Sequence, residues 1–330
     1  MRVLILGGTA FLGRHLAELA VARGHTVTLF NRGQRDPGLF PNLERLVGER
    51  PDNLDALRGR RWDVAIDTSG YTPRAVGASA GLLADAVEHY TFVSTLSVYA
   101  DPLSPGTDET GALSTLPADQ TDTETVTPES YGPLKVLAEQ AAQAAMPGRV
   151  LTVRAGLIVG PYDPTDRFTY WPARVARGGE VLAPDAPDHP VQFIDVRDMT
   201  GWMLQAAGDG LTGVFNATSP EGRLTMGDVL ESCRTVGGSD ARFTWVDEAT
   251  LLAHHVSPFT DLPLWVPREA AAFARFNSAR AIASGLKFRP LAETVRDTLA
   301  WNRSRPAGTP RANWLSPERE QEILAAATRH

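Results

Sequence analysis

Residues 3–13 read Val3-Leu4-Ile5-Leu6-Gly7-Gly8-Thr9-Ala10-Phe11-Leu12-Gly13, an apolar run cut off by glycine. Beyond it Leu12, Leu16, Leu19 and Ala20 recur at helical spacing as far as Gly24, so the expected local structure is strand, glycine turn, helix. Such a turn lets backbone amides at the helix start approach a pyrophosphate, whose charge the helix dipole also favours. The other reading, a tight turn that needs glycine only for positive φ, stays open on this stretch alone. Residues 26–30 follow as a β-branched and aromatic run and complete a βαβ unit of about thirty residues, which implies a parallel strand pair.

Working outward, strands are expected at residues 43–47, 64–68 and 90–94, with helices around residues 53–57 and through residues 75–86. Alternation of this kind with near-continuous apolar strands points to an α/β, doubly wound parallel sheet covered on both faces. A ligand then belongs beyond the carboxyl ends of the strands, where Glu49, Thr68-Ser69-Gly70 and Thr95-Leu96-Ser97 fall. At the end of the second strand an NAD enzyme usually carries Asp or Glu for the ribose 2′-hydroxyl; this chain has Asn31-Arg32. Without the carboxylate a 2′-phosphate is not repelled, and Arg32, with Arg14, could bind one through charge-assisted bonds. The expected cofactor is therefore NADP(H). The alternative is NAD, with Asn31 alone serving the ribose and Arg32 a solvated turn residue.

A second stretch carries chemistry: Tyr131-Gly132-Pro133-Leu134-Lys135. Tyrosine and lysine four apart stand one above the other on a helix face, so the ammonium can hold the phenol oxygen and favour its ionised form. Of 32 basic residues only two, Lys135 and Lys287, are lysine. A compact ammonium on a flexible stem approaches a phenol and a ribose together more readily than a planar guanidinium. Pro133, comfortable only in a first turn, places the helix start close to Tyr131.

Composition bounds the rest. A chain of 330 residues with 43% hydrophobic and 22% charged residues has room for two cores and the balance of a soluble globular enzyme. A net charge of −7 and a pI near 5.6 argue against nucleic acid as a partner. The single cysteine, Cys233, excludes an internal disulfide and a cysteine-rich metal site. The seven histidines show no metal-ligand spacing, so no metal is expected. The first residues are too soon broken by glycine for a signal peptide or a membrane span, and the expected location is cytoplasmic. Residues 101–130, with seven acidic residues and no lysine or arginine, read as a surface excursion, either a functional edge or a solvated insertion; Glu109 is its most notable carboxylate.

With the glycine turn, the strand-end Ser94-Thr95 and the Tyr131/Lys135 pair in this order and at these separations, the chain resembles the extended short-chain dehydrogenase/reductases. Within them it is similar to the NAD-dependent epimerase/dehydratase branch, and its N-terminal run to the chloroplast stem-loop-binding-protein-like members. The resemblance covers most of the chain, closely to about residue 200. It implies a Rossmann domain over residues 1–160, rejoined by about 191–216, and a smaller, interleaved C-terminal α/β substrate domain over residues 161–190 and 217–330. It places the catalytic hydroxyl on Thr95, with Ser97 a lesser occupant, and the catalytic phenol and amine on Tyr131 and Lys135. The cofactor would be held by Gly7, Thr9, Ala10, Phe11, Leu12 and Gly13 of the turn, by Asn31, Arg32 and Glu49, by Thr68, Ser69 and Gly70, and by Tyr131 and Lys135. Two departures matter: Ala10 stands at the middle glycine of the usual GxxGxxG, and Leu96-Ser97 stands where sugar-nucleotide dehydratases of this type carry an acid/base Asp-Glu pair. The second counts against dehydratase activity.

A free tyrosine has a pKa near 10, so service as a base around pH 7 needs a fall of about three pH units, roughly 4 kcal/mol favouring phenolate. The expected reaction has Thr95 orienting a substrate oxygen, Tyr131 moving its proton and the nicotinamide exchanging hydride. The substrate is then a secondary alcohol or ketone of a polar small molecule, sugar-like or a secondary metabolite. Arg167, Phe168, Tyr170 and Trp171 lie close together; Arg167 and Tyr170, with Ser97 and Gln192, are candidate substrate contacts, although such aromatic clusters are commonly helix core. Further helices are expected at residues 225–236 and 291–301 and after Ser316-Pro317, with a strand at Arg242–Val246. Two other readings stay open: a sugar-nucleotide epimerase with tightly held NAD, and a non-catalytic RNA-binding or scaffold protein on the same fold. Oligomeric state is open, a homodimer included.

Overall fold

The computed structural model describes residues 1–36, 38–120, 122–306, 308–309 and 314–327. Six strands, β1 (Arg2–Leu6), β2 (Thr26–Asn31), β3 (Glu44–Val47), β4 (Val64–Asp67), β5 (His89–Thr95) and β6 (Val150–Ala155), are joined by a seventh at Gly213–Ala217. From one edge the order is Gly213–Ala217, β6, β5, β4, β1, β2, β3, and every neighbouring pair is parallel. The connection reverses direction between β1 and β4, which opens a crevice at their carboxyl ends.

Why the strands read as unbroken apolar runs is visible along β1. Its side chains alternate between two cores: Val3 and Ile5 pack with Leu16 and Ala20 of α1 (Phe11–Ala22) and with Met199 and Met203 of the helix Val196–Gly208. Leu4 and Leu6 face the other way, onto Val76 and Leu83 of α2 (Pro73–Leu83) and Ala138 and Ala142 of α3 (Pro128–Ala145). Both faces are covered, so neither periodic position is free to be polar.

Helix α3 starts three residues earlier than Pro133 suggests. A capping box between Thr127 and Ser130, with Pro128 in the first turn, sets its beginning, and such a box satisfies two otherwise orphaned amide donors. Pro133 therefore lies inside the helix. The packing reason is next to it: a Cβ on Gly132 would sit 2.1 Å from the Ser97 carbonyl oxygen, so only glycine lets α3 press against the end of β5.

The acidic excursion is a strap, not a free insertion. Glu109 accepts the backbone N–H of Asn216 on the edge strand at 2.7 Å, and its carbonyl accepts from Arg154 at 3.3 Å. Gly106 donates to the carbonyl of Arg275 and Asn277 to that of Thr107. Glu109 thus closes the sheet edge and is not among the cleft residues.

The smaller C-terminal part is built on a parallel pair, Glu180–Pro184 with Arg242–Val246. The helix Met226–Gly237 beside it opens with a Thr225/Asp228 capping box and ends on the left-handed Gly238. Its core includes Phe168, Trp171, Leu182, Leu230 and Trp265. The last helix, Pro317–Ala327, packs on its own chain, where buried Glu320 accepts from the Arg174 guanidinium and from the Leu182 backbone N–H at 3.0 Å. Among the described residues no helix is long and apolar enough to cross a membrane, and no cluster of three or more His, Cys, Asp or Glu side chains could hold a metal ion.

Candidate active site

A cleft of about 1040 Å³ lies at the carboxyl ends of the strands, between the sheet and the C-terminal part. Its floor is the glycine turn. Gly7 and Gly8 have φ of +119° and +92°, a region L side chains rarely adopt. A Cβ on Gly7 would meet Thr68 Oγ1 at 2.4 Å, and one on Gly13 would meet the Gly8 nitrogen at 2.5 Å. Ala10 has extended backbone and caps α1 without any side-chain hydrogen bond, so its methyl group is tolerated and no side chain claims the first-turn amides. Asn31 braces the same turn, donating to the Gly7 carbonyl at 3.1 Å and accepting from the Gly33 N–H at 2.9 Å.

These features fit a dinucleotide. The glycine positions leave a cradle that any Cβ would fill, the helix start presents amides to an anion, and the buried Ser94 hydroxyl, also on the cleft wall, has no hydrogen-bond partner among the described residues. Gly13→Ala is expected to weaken NADPH binding by about tenfold or more, equivalent to roughly 1.4 kcal/mol, because the added methyl pushes α1 off the turn; titration by nicotinamide fluorescence checks it.

Thr95, Tyr131 and Lys135 all border this cleft. Thr95 ends β5, and its Oγ1 accepts the Ser97 backbone N–H at 3.1 Å. Burial holds the Tyr131 pKa above its ordinary value, and the nearby Thr95 side chain, which favours phenolate, does not offset it. Lys135 is 3% exposed. Its ammonium donates to the Gly70 and Val93 carbonyls, each at 2.6 Å, and burial lowers its pKa to about 7. The expectation that Lys135 holds the phenol oxygen is therefore corrected for the protein alone: the amine is tied to two strand-end carbonyls. The charge that favours the Tyr131 phenolate comes from Arg167.

The residue that sequence reasoning missed is Arg50. It sits in the cleft wall one place after Glu49, and its guanidinium donates to Asp67 at 2.6 Å, to Ser69 Oγ at 2.8 Å and to Ser79 Oγ at 3.2 Å. Asp67 is wholly buried and also accepts from the Tyr90 hydroxyl at 2.9 Å. Burial raises the Asp67 pKa, yet Arg50 and the hydrogen bonds more than offset it and hold the carboxyl below its usual range. The clamp fixes the Ser69–Gly70 turn that receives Lys135. In sequence the two charges are seventeen positions apart, Arg50 in the turn after β3 and Asp67 at the end of β4, and no local pattern joins them.

The other candidates divide. Thr9, Phe11, Leu12, Arg32, Glu49, Thr68, Ser69, Gly70, Ser97, Arg167 and Gln192 border the cleft. Arg32 and Glu49 face each other at 3.6 Å on its exposed rim, with Arg35 nearby on the same wall. Arg14 is not part of it: it pairs with Glu18 at 2.9 Å and lies over the Tyr162 ring. Tyr170 is also removed from the substrate contacts. It is 1% exposed in the C-terminal core, edge-on to Trp171 and Trp314, because the aromatic spacing there serves packing. Gln192 uses its amide on the Ser219 and Phe276 backbone.

The sequence profile of the NAD dependent epimerase/dehydratase family matches residues 3–217. The chloroplast stem-loop binding protein of 41 kDa b from Arabidopsis thaliana is 26% identical over 258 residues, 72% of this chain and 63% of that protein; the match thus spans less than two thirds of that relative's length. Human epimerase family protein SDR39U1, solved with NADPH, is 21% identical and superposes with a TM-score of 0.59 over 91% of this chain and 99% of its own. UDP-glucose 4-epimerase from Thermotoga maritima, solved with UDP-glucose, is 17% identical with a TM-score of 0.63 over 92% and 99%. At these identities the two structures establish the shared fold.

Proposed function

Since the chain belongs to the NAD-dependent epimerase/dehydratase family, we propose that it is an NADP(H)-dependent oxidoreductase of the extended short-chain type, acting on a secondary alcohol or its ketone. The observation that carries this reading is the gathering of a hydroxyl, a phenol and a buried amine at Thr95, Tyr131 and Lys135 beside a glycine cradle in one cleft. NADPH, when bound, supplies the hydride that reduces the carbonyl carbon and is itself oxidised. Gly7, Gly8 and Gly13 with the start of α1 hold its pyrophosphate, and Lys135, already anchored to Gly70 and Val93, is placed to take a ribose hydroxyl.

Thr95 orients the substrate oxygen and Tyr131 gives it a proton. A phenol whose pKa is held up by burial keeps that proton at neutral pH, which suits it to the acid role in reduction. Arg32 and Arg35 on the rim favour a 2′-phosphate, while Glu49 beside Arg32 moderates the effect.

Arg32→Ala is expected to lower NADPH affinity about tenfold, the scale of one lost charge-assisted hydrogen bond, and to leave NADH affinity nearly unchanged. Parallel titrations of both cofactors check it. Tighter binding of NADH than NADPH by the unaltered protein would overturn the cofactor choice, and NAD retained through purification with no net turnover would favour the epimerase alternative.

A further inference from the structure

Beyond the catalytic residues the cleft changes character. Its far wall comes from residues 259–274: Phe259, Leu264, Val266 and Phe273 border the cavity. Phe259 and Phe273 meet edge-on with centroids 5.7 Å apart, and Phe273 continues to Phe276 and on to Tyr99. The aromatic line therefore runs from behind the Ser97 turn to the rim, where Phe273 is left 37% exposed. A large apolar ring standing open in a cavity is a ready partner for apolar surface.

The backbone there is strained toward that purpose. Phe259 and Leu264 have φ of +59° and +70°, a left-handed region that bulky residues avoid and that concentrates at ligand clamps. The loop is held from outside: Asp261 accepts from the Ser257 N–H at 2.8 Å and pairs with Arg319, and Phe259 donates to the Trp265 carbonyl. The surrounding chain over-determines a conformation that sets both residues in the cleft wall, Phe259 half-buried and Leu264 buried against the C-terminal core.

Positive charge on this side is sparse, and the polar groups bordering it are Asp163, Thr165, Gln192 and Thr218, whose buried hydroxyl has no hydrogen-bond partner among the described residues. Gln192 spends its amide donors on the Ser219 and Phe276 carbonyls. Among the described residues this wall carries one cation, Arg167, whose Nε donates to Thr165 Oγ1 at 3.0 Å and whose charge also acts on Asp163, while its other N–H groups have no hydrogen-bond partner. A nucleoside diphosphate sugar presents two phosphates and many hydroxyls, which call for several donors and charges.

We propose that this half of the cleft takes a ketone or secondary alcohol through an apolar ring or chain packed on Phe259, Leu264, Val266 and Phe273, with one acidic group received by Arg167, and that it does not take a sugar nucleotide. The inference rests on the oxidoreductase reading and narrows its substrate from a sugar-like to a largely apolar molecule. Reduction adds hydride to the carbonyl carbon and the Tyr131 proton to its oxygen, with NADPH oxidised to NADP⁺.

The test is calorimetric binding to the NADP⁺ complex, in which ketones bind without reacting. The probes are 4-phenylbutan-2-one, 2-decalone, 4-oxo-4-phenylbutanoate and UDP-glucose. The ketones are expected to bind at least about tenfold more tightly than UDP-glucose, with the negative heat-capacity change of apolar burial. Phe273→Ser weakens all three ketones about tenfold while NADP⁺ affinity stays, since its ring is at the rim. Arg167→Met weakens the keto acid about tenfold and spares the neutral ketones. UDP-glucose binding more tightly than every ketone, or ketone affinity unmoved by Phe273→Ser, would overturn the inference and leave the oxidoreductase reading standing. Failure of both NADP⁺ and NAD⁺ to bind in the first titration removes the oxidoreductase reading, and the inference falls with it.

Discussion

Tyr131→Phe is expected to lower ketone reduction by about 10²-fold or more while NADPH affinity changes little. The substitution removes one hydroxyl and keeps the ring, so the packing of α3 against β5, set by the Gly132 contact with the Ser97 carbonyl, is preserved. What is lost is the phenolic proton donor beside Thr95. Steady-state turnover at saturating NADPH, beside a fluorescence titration of the cofactor, separates the two effects. Turnover near that of the unaltered protein takes Tyr131 out of the mechanism. The pH profile adds a second check. Lys135 carries its charge mainly below its depressed pKa of about 7, and as an ammonium it donates to the Gly70 and Val93 carbonyls and keeps a third N–H for a cofactor ribose hydroxyl. The reduction rate therefore falls as pH rises through that region, and Lys135→Met abolishes the inflection together with most of the activity.

Arg50→Met carries the largest expected effect on stability. It leaves the Asp67 carboxylate wholly buried with only the Tyr90 hydroxyl and the Ser69 N–H as donors. Removing one partner of a buried pair costs about 3–5 kcal/mol, to be read from chemical denaturation at pH 7. The sign of the pH dependence follows from the direction of the shift. Asp67 in the unaltered protein has its pKa lowered, so its contribution is present above the unfolded carboxylate value and is lost as pH falls through the folded one. In Arg50→Met burial is opposed only by the Ser69 and Tyr90 hydrogen bonds, and the pKa rises. The deficit is then largest at neutral pH and shrinks toward acid pH, where the carboxyl is neutral in every state. An equal deficit at pH 7 and pH 4 would mean that Arg50 stabilises by packing its stem and not through charge. Because Ser69 and Gly70 sit in the same clamp, a loss of NADPH affinity accompanies the loss of stability.

Some positions were open to local reasoning and others were not. The glycine turn announces itself because much of its requirement is local: Gly7 and Gly8 take positive φ, and Gly13 packs on the Gly8 backbone five residues away. The cap at Thr225 is legible for the same reason, since hydroxyl and amide lie three residues apart, whereas the cap at Thr127 was missed because Pro133 drew the expected helix start toward Tyr131. Tyr170 misled because an aromatic cluster has the same appearance in a core as in a binding wall. Glu109 misled because a carboxylate in an acidic stretch looks solvated until Asn216, 107 positions away, donates to it.

Local periodicity and glycine placement, which depend on backbone sterics over a few residues, determined the parallel sheet, the dinucleotide turn and the tyrosine–lysine spacing from the sequence by itself. Tertiary structure alone decided that Lys135 is tied to two carbonyls, that Arg50 neutralises a buried aspartate beneath the site, and that residues 259–274 wall the cleft with apolar rings. Each of those depends on which distant segments are brought into contact, and the free energy of a buried charge or an exposed ring is set by those neighbours and not by its place in the chain.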